Sequence, residues 1–286
     1  MLLFCALIWG TTFVAQRFGM NFLGPLSFQS VRTLLGCLAL LPVVLVRRKR
    51  QGARFRMPSL RAVLACGLAL AAASSLQQIA LTRVAAGKAG FITALYVVLV
   101  PVFGIFLGRR TNRRTWIGVA LSLAGLYLLS AVDSLSVSKW ELLLIGSAAL
   151  YSLQILAVDR FAPDCDGVTL SCLEFLVAGL APLPFALALE HPQWSQIWDC
   201  RWMIAYAGIF SCGIAYTLQV LGQARTPPAL ASLIMGLESV FSALSGWLLL
   251  HETMSGRELT GCALMLAAVM LSQLPEKRAA CPETES

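Results

Sequence analysis

A chain of 286 residues that is 58% hydrophobic and 13% charged cannot hide its apolar side chains in one water-soluble core. Soluble domains carry about 45–50% apolar and about 25% charged residues, whereas a bilayer solvates the outer face of every helix; the mean hydropathy of +0.77 fits the second solvent. The net charge of +8 adjoins helix ends, so it reads as membrane topology rather than a nucleic-acid surface, and no acidic partner is implied.

A spanning helix takes about 20 mostly apolar residues. Ten stretches qualify: 2–16, 26–46, 60–82, 89–108, 115–132, 142–158, 169–189, 202–224, 229–250 and 259–274. Polar groups at bilayer depth are costly and tend to face a cavity or a partner helix. Helix 1 carries Trp9 near its middle, too deep for an interfacial anchor. Arg32 in helix 2 and Glu174 in helix 7 sit a turn or so inside and read as snorkelling to the headgroups. Gln77 and Gln78 lie deep in helix 3, Tyr96 in helix 4, Tyr151 and Gln154 in helix 6, Gln219 in helix 8 and Glu238 in helix 9. Trp116, Trp140, Trp194, Trp198 and Trp202 fall near predicted ends, as an aromatic belt does. Small residues at four-residue spacing, Gly104/Gly108, Ala120/Ala124 and Ser242/Gly246, read as close helix packing.

The second half repeats the first. Leu76-Gln77 matches Leu218-Gln219, Arg83 matches Arg225, Leu95 matches Leu237 and Gly104 matches Gly246, all 142 positions apart. Gly36 with Gly179 and Gly118 with Gly261 match at 143. Five helices per half is odd, so the second half enters from the opposite side. The expected fold is therefore an all-α integral membrane protein of ten transmembrane helices arranged as two inverted five-helix repeats, residues 1–132 and 133–286. With the N-terminus inside, fifteen Lys and Arg fall on the cytoplasmic side and six on the other, which places both termini in the cytoplasm. No removed signal peptide is expected, because residue 1 opens directly into helix 1.

Three stretches resemble a known family. Residues 7–16 (LIWGTTFVAQ) are similar to the first helix of EamA-type permeases of the drug/metabolite transporter superfamily. Residues 86–101 (AGKAGFITALYVVLVP) are similar to its fourth helix, and 237–241 (LESVF) through 246–252 (GWLLLHE) to its ninth. The resemblance covers nearly the whole chain. It departs at Ser239, where the family often carries Pro after the glutamate, so a kink there is left open. The resemblance implies a multi-pass carrier of the bacterial cytoplasmic (inner) membrane, often an exporter of metabolites or amino acids. Its cavity would be lined by helices 1–4 and 6–9, with helices 5 and 10 peripheral.

The substrate-cavity candidates are thus Trp9, Gln77, Gln78, Tyr96, Tyr151, Gln154, Gln219 and Glu238. Glu238, between uncharged runs, suits a substrate-ammonium contact or proton coupling; a structural hydrogen bond is the alternative. The glutamines and tyrosines can equally join helices by hydrogen bonds. Nine cysteines without a CxxC pair and two histidines at helix ends indicate no metal site, no cofactor and no disulfide framework. His251-Glu252-Thr253-Met254-Ser255 misses the zinc-protease pattern at its fifth position. Catalytic residues are not expected, and the partners are a small-molecule substrate and the lipid bilayer, with a homodimer also compatible. Two rivals remain at this point: an intramembrane enzyme acting on a lipid-like substrate, which needs convergent catalytic groups, and a channel.

Overall fold

The computed structural model describes residues 1–84, 86–109, 111–129, 138–249 and 255–274. The expected repeat boundary at Val132/Asp133, the cations Arg110, Lys277 and Arg278, and His251, Glu252 and Cys281 lie outside the described residues. Within them every regular element is helical, and eight helices are long and apolar enough to cross a membrane.

The first half runs α1 (Leu2–Gly19), α2 (Pro25–Gln51), α3 (Leu60–Leu81), α4 (Ala86–Thr93), α5 (Tyr96–Phe106) and α6 (Arg113–Leu129). The second runs α7 (Lys139–Phe161), α8 (Gly167–Leu180), α9 (Leu183–Leu189), α10 (Trp194–Asp199) and α11 (Arg201–Ala205). It continues with a wide π-helical stretch (Tyr206–Tyr216), α12 (Thr217–Gln223), α13 (Pro228–Met235), α14 (Glu238–Leu249) and α15 (Gly256–Gln273). Local chemistry sets several ends. Pro25 opens α2, where its missing N–H costs nothing, and Glu190 accepts from Leu26 N and Ser27 N at 2.9 and 2.8 Å, placing an anion on the positive end of the helix dipole. Arg48, Lys49 and Arg50 complement the other end. Ser138 with Glu141 and Ser255 with Glu258 form capping boxes for α7 and α15.

Two predicted spans are not continuous. Helix 4 breaks between Thr93 and Tyr96, and helix 9 breaks between Met235 and Glu238. The turns are alike: Leu95 N donates to Ile92 O at 3.2 Å and Val97 N to Ala94 O at 3.0 Å, while Leu237 N donates to Ile234 O and Ser239 N to Gly236 O, both at 3.2 Å. These tighter bonds satisfy backbone groups that a break inside a bilayer otherwise leaves orphaned. The break in helix 9 needs no proline at Ser239, since it lies before Glu238.

The packing is reciprocal. α3 lies against α7 and α8, and the π-helical stretch lies against α1 and α2. α1 crosses α14 as α7 crosses α4 and α5, α2 packs on α8, and α6 pairs with α15 to one side. α6 and α15, 17 and 18 residues long, stand outside the eight long apolar helices. Their backbones touch closely: a Cβ on Gly125 would come within 2.8 Å of Gly261 O. Gly108, expected to be a packing residue, instead ends α5 at φ 72°, with Arg109 N bonded to Gly104 O at 2.8 Å. A left-handed residue with this bond is a glycine helix stop.

Among the described residues three ion pairs tie the halves together outside the apolar runs, Arg47–Asp166, Lys88–Glu141 and Arg109–Asp159, and the first also caps a helix. Asp166 caps α8 by accepting from Thr169 N (3.0 Å) and Thr169 Oγ1 (2.9 Å), and its other oxygen accepts from Arg47 Nε (3.0 Å) and Nη2 (2.6 Å). Burial pushes this carboxyl up, but the Arg47 and Thr169 hydrogen bonds outweigh it and hold the group below the usual aspartate range. A depressed folded-state value stabilises the fold above the ordinary 3.8, and that contribution drains away as pH falls through the lower folded value. Arg47 is 38% exposed, so solvent screens the pair, and the cap carries most of the effect, about 1 kcal/mol. Asp166→Ala should lower the melting temperature at pH 7 and narrow its gap to wild type near pH 3, measured by thermal unfolding in detergent.

Candidate functional site

The two helix breaks face a cavity of about 40 Å3 between the halves. That is room for about three waters at 10–15 Å3 each. Fifteen residues line it, and ten of them form five pairs related by the 142-residue offset: Trp9 with Tyr151, Thr12 with Gln154, Phe13 with Ile155, Gln77 with Gln219, and Tyr96 with Glu238. Tyr96 and Glu238 are the first residues of α5 and α14, directly after the breaks. Breaking a helix here aims a new N-terminus and its first side chain at the cavity, as at ion and substrate sites of transporters.

Seven of the eight candidates line this space, and Gln78 does not. It is fully buried on another face of α3, with neither side-chain N nor O hydrogen-bonded among the described residues. Gln77 accepts from Tyr151 OH at 3.1 Å and donates to Thr93 Oγ1 at 3.1 Å, linking α3, α4 and α7. Gln219 Nε2 donates to Gln154 Oε1 (3.1 Å) and Gln223 Oε1 (2.9 Å), and Gln154 Nε2 donates to Glu174 Oε1 (2.7 Å). Trp9 stacks at a tilt on Tyr216 with ring centroids 4.6 Å apart, and Phe175 meets Tyr216 edge-on at 5.6 Å.

The snorkelling reading of Arg32 and Glu174 is corrected. Arg32 is 3% exposed and lines the cavity; Glu174 is wholly buried against Gln154. Arg32 lies seven residues along α2, about 10 Å from its start, and α8 and the π-helical stretch close over that helix. Its depth was hidden because only the fold supplies those neighbours, although Arg32 and Glu174 stand 142 positions apart like the other site pairs. Thr12, Phe13, Gln16, Thr93, Ile155, Ser211 and Tyr216 complete the lining.

Five polar atoms on lining residues have no hydrogen-bond partner among the described residues: Trp9 Nε1, Gln16 Oε1, Tyr96 OH, Gln219 Oε1 and Glu238 Oε1. Buried polar atoms are nearly always bonded. Donors and acceptors left open together around one cavity mark a place prepared for a polar solute or water.

A model of the EamA-like transporter family matches residues 1–131 and again 138–274. The chain belongs to the EamA-like transporter family. Relatives of this EamA protein fall within the drug/metabolite transporter superfamily and span nearly its full length. The uncharacterized inner membrane transporter YedA of Escherichia coli K12 is 28% identical over 277 residues, covering 94% of this chain and 88% of the relative. An uncharacterized transporter of Archaeoglobus fulgidus is 25% identical, covering 94% and 83%. The threonine/homoserine exporter RhtA of E. coli K12 is 25% identical, covering 87% and 82%. A crystal structure with 18% identity superposes at a TM-score of 0.79 over 95% of each chain, which establishes a shared fold for this EamA protein. The family and the apolar helices together make it a multi-pass membrane protein of a transporter family.

Proposed function

We propose that the chain is a secondary carrier that exports small metabolites, such as amino acids or drug-like compounds, across the bacterial cytoplasmic membrane by alternating access. One observation carries this reading: a cavity lined by matched positions of the two halves, with open polar groups at its wall. Such a site can be exposed to either side when one half rocks against the other. The ten-helix inverted repeat, residues 1–132 and 133–286, draws support from the twice-matching family model, the paired helix breaks and the reciprocal packing. Adding α6 and α15 to the eight long helices makes five spans per half, and an odd number inverts the second. Both termini then face the cytoplasm. Reporter fusions at residue 1 and after residue 274 should both report cytoplasm; opposite faces would remove the inverted arrangement.

Glu238 is the proposed proton-coupling residue. It is 4% exposed, and the ionisable side chains sharing its cavity are Arg32, Tyr96, Tyr151 and Tyr216, with Cys5 buried nearby on α1. The name of RhtA favours export and amino-acid solutes. Purified protein in proteoliposomes preloaded with an unlabelled solute should accumulate the labelled form by counterflow and saturate. Linear, unsaturable flux without counterflow would instead establish a channel.

A further inference from the structure

We infer that the cavity recognises a zwitterion, with Arg32 taking the carboxylate and Glu238 the ammonium; this rests on the carrier reading above. Of the fifteen lining residues one, Arg32, carries a guanidinium and one, Glu238, a carboxyl, and they do not pair with each other. Arg32 presents a guanidinium with five N–H donors, yet it makes no ion pair among the described residues. Its Nε and Nη2 both donate to Gln29 Oε1, at 2.8 and 2.6 Å. Gln29 in turn donates to Ser74 Oγ at 2.5 Å, and Ser74 donates to Leu70 O. This chain holds the guanidinium by one edge and leaves Nη1 without a protein acceptor among the described residues. The oriented fork suits a carboxylate oxygen.

Glu238 supplies the complementary group: the Tyr96 hydroxyl lies beside its carboxyl, and its Oε1 accepts no well-formed hydrogen bond among the described residues. A buried charge without a counter-charge is strongly unfavourable. A solute that brings both charges relieves Arg32 and Glu238 at once. A cationic amine would satisfy Glu238 while adding repulsion at Arg32, and a simple acid would do the reverse. Trp9, Tyr96, Tyr151 and Tyr216 give the walls for the rest of the molecule, and aromatic faces also favour an ammonium.

The full chain in nanodiscs should be screened by thermal stabilisation against the standard amino acids. The best of them is then compared with its methyl ester and its deaminated acid, and all three are tested for counterflow in proteoliposomes. The amino acid should bind at least tenfold more tightly than either analogue. Arg32→Gln should weaken the amino acid ten- to hundredfold and leave the already weak ester unchanged, while Arg32→Lys retains part of the affinity. Equal losses for acid and ester in both variants would make Arg32 structural and overturn the assignment. Tighter binding and counterflow of cationic amines or neutral compounds would overturn it while leaving a carrier in place. Absence of counterflow for every solute would take down the carrier reading and the inference with it.

Discussion

Glu238→Gln should yield a folded protein whose transport no longer responds to a pH gradient, if Glu238 carries the proposed proton coupling. The amide keeps the size of the side chain at the start of α14 and resembles its protonated form, one acceptor oxygen beside a donor, so the fold and the cavity survive. What it loses is the single site in the lining that can exchange a proton for a cationic group of the solute. Coupling of this kind requires competition: proton and solute must not occupy the same carboxylate together. In proteoliposomes, imposed pH gradients should stimulate wild-type flux several-fold and the variant not at all, with downhill counterflow retained only at solute concentrations about tenfold higher, since the ammonium contact is also lost. Retention of the gradient response would assign coupling to another group; Glu174, buried behind Gln154, is the next carboxyl to test.

Gly10→Val should both destabilise the protein and impair transport. A Cβ at position 10 would lie 2.6 Å from Phe241 Cβ, 2.7 Å from Glu238 O and 2.8 Å from Ser242 N. Two of these three atoms are backbone and cannot rotate away, so α1 and α14 must separate. Overpacking of a well-filled interior costs about 1–3 kcal/mol, and the upper part of that range applies where backbone obstructs. The displaced segment begins at Glu238 itself, so the site moves with it. Thermal unfolding in detergent should show a fall of several degrees, with a larger proportional loss of counterflow. Gly256→Ala, where nothing lies within 4 Å of the added Cβ, should leave both unchanged. A Gly10→Val protein with wild-type melting and transport would mean that α1 and α14 are not in contact in the working protein.

Much of the cavity lining could be read before the fold, for a specific reason. Trp9, Gln77, Tyr96, Tyr151, Gln154, Gln219 and Glu238 are polar or amphipathic groups inside apolar runs, and a bilayer makes such groups conspicuous. Gln78 carries the same signal but not the same position, because successive residues on a helix face directions about 100° apart. A residue type reveals cost, not direction. Arg32 shows the opposite failure: near a predicted helix start, a long cation resembles a snorkelling side chain. Its burial depends on α8 and the π-helical stretch, whose nearness no local pattern encodes.

Composition and hydropathy by themselves determined a helical membrane protein, because backbone hydrogen bonds in lipid must be met within each segment. The 142-residue offset determined which positions are equivalent. Only the tertiary structure decided that helices 4 and 9 break before Tyr96 and Glu238, and that Arg32 shares their cavity. The run through the first break carries no stop signal and the second only Gly236, at the C-cap of α13, so the paired turns persist because neighbouring helices enclose them. Long-range packing sets the direction and depth of a side chain, and a one-dimensional pattern holds neither.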